Sequence, residues 1–261
     1  MTEHRTMRLG AALPFGDLEG GPLRAGSLSR SAATIERLGY SSVWTFDVIG
    51  RGFMNSDPLM ALAVAAGVTE NVELATGILQ LPLRNVAEVA HRLFTLETLA
   101  PGRVLFGVGP GSTEGDFDVF ERDYASRFKQ FEAQWTELQR WVADGRVDDR
   151  DLQPPESALC GPTLMLAGWK GRWVERAAVE APVWVASALH TDDAQLAENI
   201  SRYREAGGKR AIAGSVMIAE DPAETIERLG YLASLGFDDA AVFDLKASEE
   251  RFAAVRNGVP Q

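Results

Sequence analysis

Cysteine and histidine are scarce in this chain, and their scarcity excludes several kinds of site. Cys160 is the only cysteine, so no disulfide can form within the chain and a zinc site could not be built from several thiolates. The three histidines include no HExxH pair, and only His190 follows a predicted strand. We therefore expect no metal site in this protein.

Positive charge and long hydrophobic runs are also lacking. Lysine and arginine total 26 against 37 aspartates and glutamates, which gives a formal net charge of -11. Because phosphate contacts need clustered Lys and Arg, nucleic acid is not an expected partner. No apolar run approaches the roughly 20 residues that span a bilayer, and residues 1–8 lack the apolar core of a signal peptide. We expect a cytoplasmic protein that acts on a small molecule and has no membrane partner.

The most informative stretch covers residues 72–112. Residues 72–78 and 104–108 are short apolar runs that predict two buried strands, and between them Asn85 and Glu88 form the capping-box pattern that opens a helix. A strand, a crossover helix and a second strand make a parallel βαβ unit. Its glycine-rich exit lies at the carboxyl end of the sheet, where such sheets bind ligands.

Strand and helix patterns alternate along the whole chain. About eight strand–helix units in 261 residues are typical of an α/β fold of the (β/α)8 TIM-barrel type, here a single domain over residues 1–261. An open doubly wound sheet is the rival fold, but no glycine fingerprint follows the first strand with an acidic residue about 20 positions later. Residues 112–123 and 145–162 are too polar for core elements, so we predict a long loop and an irregular connection there.

In such a barrel, residues at the carboxyl ends of the strands face the ligand. The predicted strand ends supply Asp47, residues 76–78, residues 107–112, residues 168–172, residues 187–190 and Asp244. Backbone N–H groups of the glycine-rich residues 107–112 can approach an anion, and residues 168–172 offer the same backbone with two cations. Tight turns explain either loop alone equally well, but two such loops at one end favour a phosphate-bearing ligand.

Four side chains near strand ends suggest more specific roles. Asp47 could act as a catalytic base or accept a hydrogen bond from a cofactor, although an aspartate that caps a loop has the same pattern. His190 is the second catalytic candidate, because it is the one histidine at a strand end. Trp169 and Trp184 are candidates for the walls of an aromatic-lined pocket.

Three motifs taken together resemble a known family. Residues 36–44 read ERLGYSSVW, residues 75–85 read ATGILQLPLRN, and residues 101–109 read PGRVLFGVG. In this combination the chain is similar to the bacterial-luciferase-like oxidoreductases, which use flavin or deazaflavin coenzymes and have a (β/α)8 fold. The similarity covers most of residues 7–143.

The resemblance implies a cofactor, FMN or the deazaflavin coenzyme F420, over the carboxyl end of the barrel. It places a bulge or a non-prolyl cis peptide of the third strand beside the cofactor ring, and it implies homodimers through barrel helices. The cofactor-binding residues that it implies are Thr76, Gly77 and Ile78 at the ring, Gly107, Gly109, Gly111 and Ser112 along the cofactor, and Gly168 with Lys170 or Arg172 at the phosphate. Many members carry a histidine at or near the acid of the second strand, whereas Asp47 is followed here by Val48 and Ile49.

These observations together predict a luciferase-like oxidoreductase or monooxygenase. With reduced FMN or coenzyme F420 it would transfer hydride to a small organic substrate or use oxygen to monooxygenate it. A non-catalytic flavin- or ligand-binding barrel is one alternative, because the expected histidine is missing. A phosphate-binding isomerase or aldolase-type barrel is another.

Overall fold

A computed structural model of the protein describes residues 7–15, 23–159, 161–168 and 171–260. The strands in these ranges are β1 (Arg8–Ala12), β2 (Ser42–Thr45), β3 (Glu73–Gln80), β4 (Val104–Gly109), β5 (Arg146–Val147), β6 (Arg150–Asp151), β7 (Thr163–Ala167), β8 (Val183–Ser187), β9 (Arg210–Met217) and β10 (Asp239–Phe243). The α-helices there are α1 (Ser27–Arg37), α2 (Pro58–Ala66), α3 (Val86–Leu99), α4 (Glu114–Val119), α5 (Arg127–Asp144), α6 (Arg172–Glu180), α7 (Asp193–Glu205), α8 (Pro222–Leu235) and α9 (Glu249–Gly258). Over the same ranges, no helix is both long and apolar enough to cross a membrane.

Eight parallel strands close into a barrel in the order β1-β10-β9-β8-β7-β4-β3-β2. Strand β1 completes the closure, since Ala11 pairs with Val242 of β10 on one side and with Val43 of β2 on the other. The barrel interior is apolar and receives side chains from every strand: Ala12, Trp44, Phe46, Ala75, Leu105, Met165, Val183, Val185, Ile212, Ala241 and Phe243. A second apolar layer lies between the strands and the surrounding helices. The prediction of a (β/α)8 barrel is confirmed.

Side-chain caps fix where two helices begin, and the predicted cap at Asn85 is one of them. The Asp57 side chain accepts the backbone N–H of Leu59 at 3.0 Å, and Asn85 accepts that of Glu88 at 3.1 Å. The Glu88 carboxylate binds Arg92 instead of returning to the cap, so only half of the capping box forms. Both bonds satisfy donors that a helix start leaves without a partner.

The two polar connections have more structure than predicted. The prediction of a long loop over residues 112–123 is wrong, because helix α4 forms there with Asp116 and Phe117 fully buried. Burial of Phe117 and neutralisation of Asp116 by Arg51 hold this short helix on the barrel. Residues 145–162 contain the hairpin of β5 and β6 and a short 3-10 turn, Glu156–Ala158, while Cys160 lies outside the described residues.

A charge network closes the amino-terminal end of the barrel. Arg210 of β9 binds Glu73 of β3 and Asp239 of β10, each through two hydrogen bonds of 2.8 to 3.0 Å. Arg8 adds a bond of 2.7 Å to Glu73. Burial alone would raise the pKa of Glu73, but the bonds from Arg210 and Arg8 outweigh burial and lower it. The network therefore joins four strands, β1, β3, β9 and β10, through fully paired charges.

Candidate functional site

A cavity of about 650 Å³ opens at the carboxyl end of the strands. Its volume lies within the range of sites that bind small molecules and cofactors. The lining combines aromatic and aliphatic side chains, glycines of three strand exits and a few charged groups. Asp47, Gly77, Ile78, Gly109, Gly111, Ser112, Gly168 and His190 are the sequence-predicted site residues found in this lining.

The end of β3 presents its backbone to the cavity. The peptide between Gly77 and Ile78 is cis, and the pairing with β4 shifts between Thr76 and Leu79, so both the bulge and the cis peptide that the resemblance implies are present. A Cβ on Gly77 would lie 2.7 Å from the Trp44 ring, which explains why glycine stands there.

Thr76 and Gly107, also predicted to touch the cofactor, lie beneath this surface. The Thr76 hydroxyl donates to the Gly107 carbonyl at 2.8 Å, and neither residue is part of the cavity lining. A Cβ on Gly107 would overlap the Thr76 carbonyl oxygen. Their observed role is to join β3 to β4, and this position does not favour direct contact with a ligand.

The exit of β4 forms a glycine-lined edge of the cavity. A Cβ on Gly109 would come within 3.2 Å of Ile78, and Gly111 has φ +82°. A side chain on Gly111 would also overlap the carbonyl of the Gln80 amide and approach the Phe117 ring to 2.9 Å. Glycine at Gly111 is therefore required by its backbone conformation and by the packing of Gln80 and Phe117, and both glycines present bare backbone to the cavity.

Arg127, the first residue of α5, supplies a cation that was not predicted from the sequence. Its Nε donates to the Gly111 carbonyl at 3.2 Å and its Nη1 to the Tyr124 carbonyl at 2.9 Å. The guanidinium lies over the rings of Tyr124 and Phe128, 3.7 and 4.4 Å from their centroids. Among the described residues no carboxylate pairs with Arg127, although it lines the cavity. An arginine in the first turn of a helix, where acids are favoured, was the sequence signal for it.

Asp47 is held in a network that leaves its carboxylate little freedom. One oxygen binds Arg84 at 2.8 Å and the other accepts the Gln80 N–H at 2.9 Å. The Gln80 amide nitrogen bridges the Asp47 carbonyl and Asp116, and Asp116 pairs with Arg51 at 2.9 Å. Burial raises the pKa of Asp47 to about 6, and the contacts with Arg84 and Gln80 offset only part of that effect. Asp47 thus organises the loops after β2, β3 and β4.

The loop after β7 agrees only in part with its prediction. Gly168 lines the cavity, and a Cβ there would lie 2.7 Å from Trp173. Arg172 is two-thirds exposed, pairs with Glu132 of α5 and is not part of the lining. Lys170 and Trp169 lie outside the described residues.

The remaining strand-end candidates have different surroundings. His190 is exposed and lines the cavity, and its backbone N–H donates to the Ser187 hydroxyl at 3.3 Å. The Asp244 carboxylate accepts the N–H of Ser248 and pairs with Arg251, so it caps the loop after β10 and does not line the cavity. The described residues contain no group of three or more His, Cys, Asp or Glu side chains that could hold a metal ion.

Three phenylalanines form the opposite side of the cavity. Phe15, after β1, stacks on Phe46, after β2, with centroids 5.3 Å apart and planes inclined by 7°. Phe243, the last residue of β10, meets both edge-on at 5.7 and 6.0 Å. The prediction that Trp184 forms a pocket wall is wrong, because its ring packs outside the strands against Tyr203 and Phe237. Trp173 lines the cavity instead.

A family model described as luciferase-like monooxygenase matches residues 7–257. The chain belongs to this family. The limonene 1,2-monooxygenase of Rhodococcus erythropolis is 29% identical over 117 residues, which are 44% of this chain and 30% of that protein. The stretch matched is thus less than a third of that relative's length.

Two solved structures of related fold carry different coenzymes. An F420-dependent secondary alcohol dehydrogenase, in complex with an F420-acetone adduct, superposes with a TM-score of 0.77, 16% identity and coverage of 98% of this chain and 100% of that chain. The oxygenating constituent of 3,6-diketocamphane monooxygenase from Pseudomonas putida, in complex with FMN, gives a TM-score of 0.76, 13% identity and coverage of 97% and 98%. At these identities the likeness establishes the fold, in agreement with the closed barrel.

Proposed function

We propose that this protein is an oxidoreductase that uses reduced FMN or coenzyme F420 to reduce or monooxygenate a small organic molecule. The observation that carries the proposal is the placement of Arg127, a cation without a carboxylate partner among the described residues, beside the glycine-lined edge of a 650 Å³ cavity. Both coenzymes bear an aromatic ring and a phosphate, and this cavity has a surface suited to each. Family membership supports the same assignment.

The phosphate end fits the exit of β4 better than the loop after β7. Arg127 and the backbone around Gly111 offer charge-assisted hydrogen bonds, whereas the Arg172 guanidinium is already paired with Glu132 and lies outside the cavity. We therefore place the phosphate near Arg127, with Ser112 and Gly168 beside it. Gly77 and Ile78 form the surface for the ring, and Gly109 lets the cofactor approach the backbone.

The cofactor, when bound, would supply hydride or activate oxygen, and the protein would position and shield it. Phe46 and Phe243 exclude water from the interior side of the cavity. His190, at the exposed rim, is the side chain that we propose to exchange a proton with the substrate. Asp47 is proposed as a positioning residue, because both carboxylate oxygens already bind Arg84 and Gln80.

Titration of the purified protein with FMN and, separately, with F420 tests the proposal. Binding of one of them, seen as a change in its visible absorption, is expected, followed by substrate-dependent reoxidation of the reduced form. Failure of both to bind would refute the proposal. Binding without any reoxidation across a panel of substrates would favour a non-catalytic flavin-binding barrel. The cavity gives no support to an aldolase-type reaction, since no lysine is found in its described lining.

We also propose that two copies associate through helix α2. This helix is apolar on all sides, and Met60, Val64 and the adjoining Val68 are exposed large hydrophobic residues. Helices of this composition are usually covered by protein. Light scattering should give twice the monomer mass, and Val64→Glu should shift the mass towards the monomer. A monomeric mass for the unmodified protein at micromolar concentration would refute this assignment.

A further inference from the structure

The three phenylalanines Phe15, Phe46 and Phe243, here called the aromatic wall, lie across the barrel from the glycine-lined edge. In the strand order β1 faces β7, β10 faces β4 and β2 faces β8. Phosphate bound near Arg127 at the exit of β4 would therefore lie opposite Phe243 of β10, whereas Phe46 lies beside the proposed ring surface, 3.4 Å from a Cβ placed on Gly77. The wall is then available to a second molecule that meets the cofactor ring from the other side of the cavity.

The apolar surface continues from the aromatic wall to the mouth of the cavity. Val48 and Phe53, from the loop after β2, extend the apolar lining beside Phe46. At the rim, Leu189 and Leu245 line the cavity while 48% and 50% exposed. Large aliphatic side chains left open to solvent around a concave site indicate contact with an apolar ligand.

Among the described residues, this side of the cavity has no arginine, lysine or carboxylate outside an ion pair. Asp47 and Arg51 line the cavity, but each is committed to an ion pair, with Arg84 and with Asp116. Arg127 belongs to the opposite, β4 side. A carboxylate or ammonium group brought against the wall would lose its hydration and find no partner there, which is costly.

We propose that the aromatic wall binds an uncharged, mainly hydrocarbon substrate and excludes its ionised analogues. This inference rests on the proposed function for the position of the cofactor, and it adds the chemical class of the second molecule. Aromatic faces arranged by stacking and edge contacts suit a compact aliphatic ring, which can lie against two of the phenylalanines at once.

Three probes that share one ring test the inference: methyl cyclohexanecarboxylate, cyclohexanecarboxylate and cyclohexylmethylammonium. Binding is followed in the cofactor-loaded protein by the visible spectrum, and in the cofactor-free protein by tryptophan fluorescence, since Trp173 lines the cavity. The neutral ester should bind at least about tenfold more tightly than either ion, a ratio that corresponds to about 1.4 kcal/mol. Equal or tighter binding of an ion would overturn the proposal.

Two variants locate the bound ester. Phe15→Ala and the rim variant Leu245→Asp should each weaken ester binding about tenfold while leaving the affinity for the cofactor within twofold. Leu99→Asp is the matched control, because Leu99 is equally exposed but lies on α3 away from the cavity, and it should change neither affinity. Loss of cofactor affinity with unchanged ester affinity would overturn the proposal, since the wall would then hold the cofactor ring.

The experiment also distinguishes an error in this inference from an error in the proposed function. If neither coenzyme binds, the ratio of ester to ion affinity is still measured by fluorescence in the cofactor-free protein. A tenfold preference there supports an apolar-ligand site independently of the cofactor, and no preference overturns it.

Discussion

The two ends of the barrel use charge in opposite ways. At the amino-terminal end, Arg210 is matched by Glu73 and Asp239 within one compact network. At the carboxyl end, Arg127 has no carboxylate partner among the described residues. Within the described part of the chain, the buried oxygen of the Gln80 amide also lacks a hydrogen-bond partner.

This difference indicates that the charges at the amino-terminal end stabilise the fold, whereas Arg127 at the carboxyl end is available to bind a ligand. Burial alone would lower the pKa of Arg210, but its hydrogen bonds with Asp239 and Glu73 outweigh burial and raise it. Such a closed network has no capacity left for a ligand. An arginine held only by carbonyl groups and aromatic rings keeps its full charge available to an anion. Barrel enzymes are expected to divide these roles between the two ends in this way.

The largest effect is expected from Arg210→Met. Removing the guanidinium leaves the buried Asp239 and the partly buried Glu73 without their main partner, which should lower the free energy of unfolding by about 3 to 5 kcal/mol. The melting temperature should fall by roughly 10 °C. Urea denaturation measures the first quantity, and a cofactor titration should give an unchanged dissociation constant. If Arg210→Met lowered the free energy of unfolding by less than about 1 kcal/mol, the charges at the amino-terminal end could no longer be assigned a stabilising role.

The pH dependence of stability should have opposite signs at the two ends. The raised pKa of Asp47, about 6, means that between about pH 4 and 6 the folded protein holds a proton that the unfolded chain has released. Stability from this group is therefore present at low pH and lost as pH rises to 6. Relative to the Asp47→Asn variant, the free energy of unfolding of the protein should fall by on the order of 3 kcal/mol between pH 4 and 6.

Glu73 provides the matched comparison. Its pKa is lowered, so its stabilisation is present above the unfolded value of about 4.3 and is lost as pH falls through the lowered value. Urea titrations of the protein, Asp47→Asn and Glu73→Gln between pH 3.5 and 7 would show the two opposite slopes as differences from the unmodified protein. A flat or rising difference for Asp47 would contradict the assignment.

Much of the fold could be predicted from the sequence, because the patterns that mark helices and strands involve residues close together in the chain. Asp57 and Asn85 cap their helices through bonds to residues two or three positions away, and apolar runs mark the strands. The loop predicted over residues 112–123 was wrong because the structure of this segment depends on a residue distant in the sequence. Helix α4 depends on Arg51, which is 65 positions from its partner Asp116 and approaches it only after the barrel has closed.

The site was less predictable because neighbouring positions on a strand face opposite sides. Asp244 was predicted to face the ligand, but it caps a loop outside the cavity, whereas the preceding residue, Phe243, forms part of the aromatic wall. A shift of one residue along a strand moves a side chain from the inside of the barrel to the outside. Only the pairing register of the closed barrel determines which residues point inward. Arg127 was missed for a related reason, since its contact with Gly111 depends on how α5 returns to the exit of β4.

At the carboxyl end, Arg127→Ala should weaken binding of the coenzyme by about 10- to 100-fold, the loss expected for one or two charge-assisted hydrogen bonds. Arg172→Ala is the control and should change the dissociation constant less than twofold, because this side chain is exposed and paired with Glu132. Fluorescence titration of both variants measures the difference. The reverse result, with Arg172 decisive and Arg127 neutral, would return the phosphate to the loop after β7.

The smallest effect is expected from Arg8→Ala, which tests how the amino-terminal network divides its stability. Arg8 touches Glu73, but its side chain is 45% exposed, and exposed ion pairs contribute less than about 1 kcal/mol. Glu73 also keeps both bonds from Arg210 after the change. Urea denaturation should therefore place this variant within about 1 kcal/mol of the unmodified protein. A loss as large as that of Arg210→Met would mean that the four charges act as one cooperative unit, so that the end of the barrel is stabilised by the whole network and not by its central arginine.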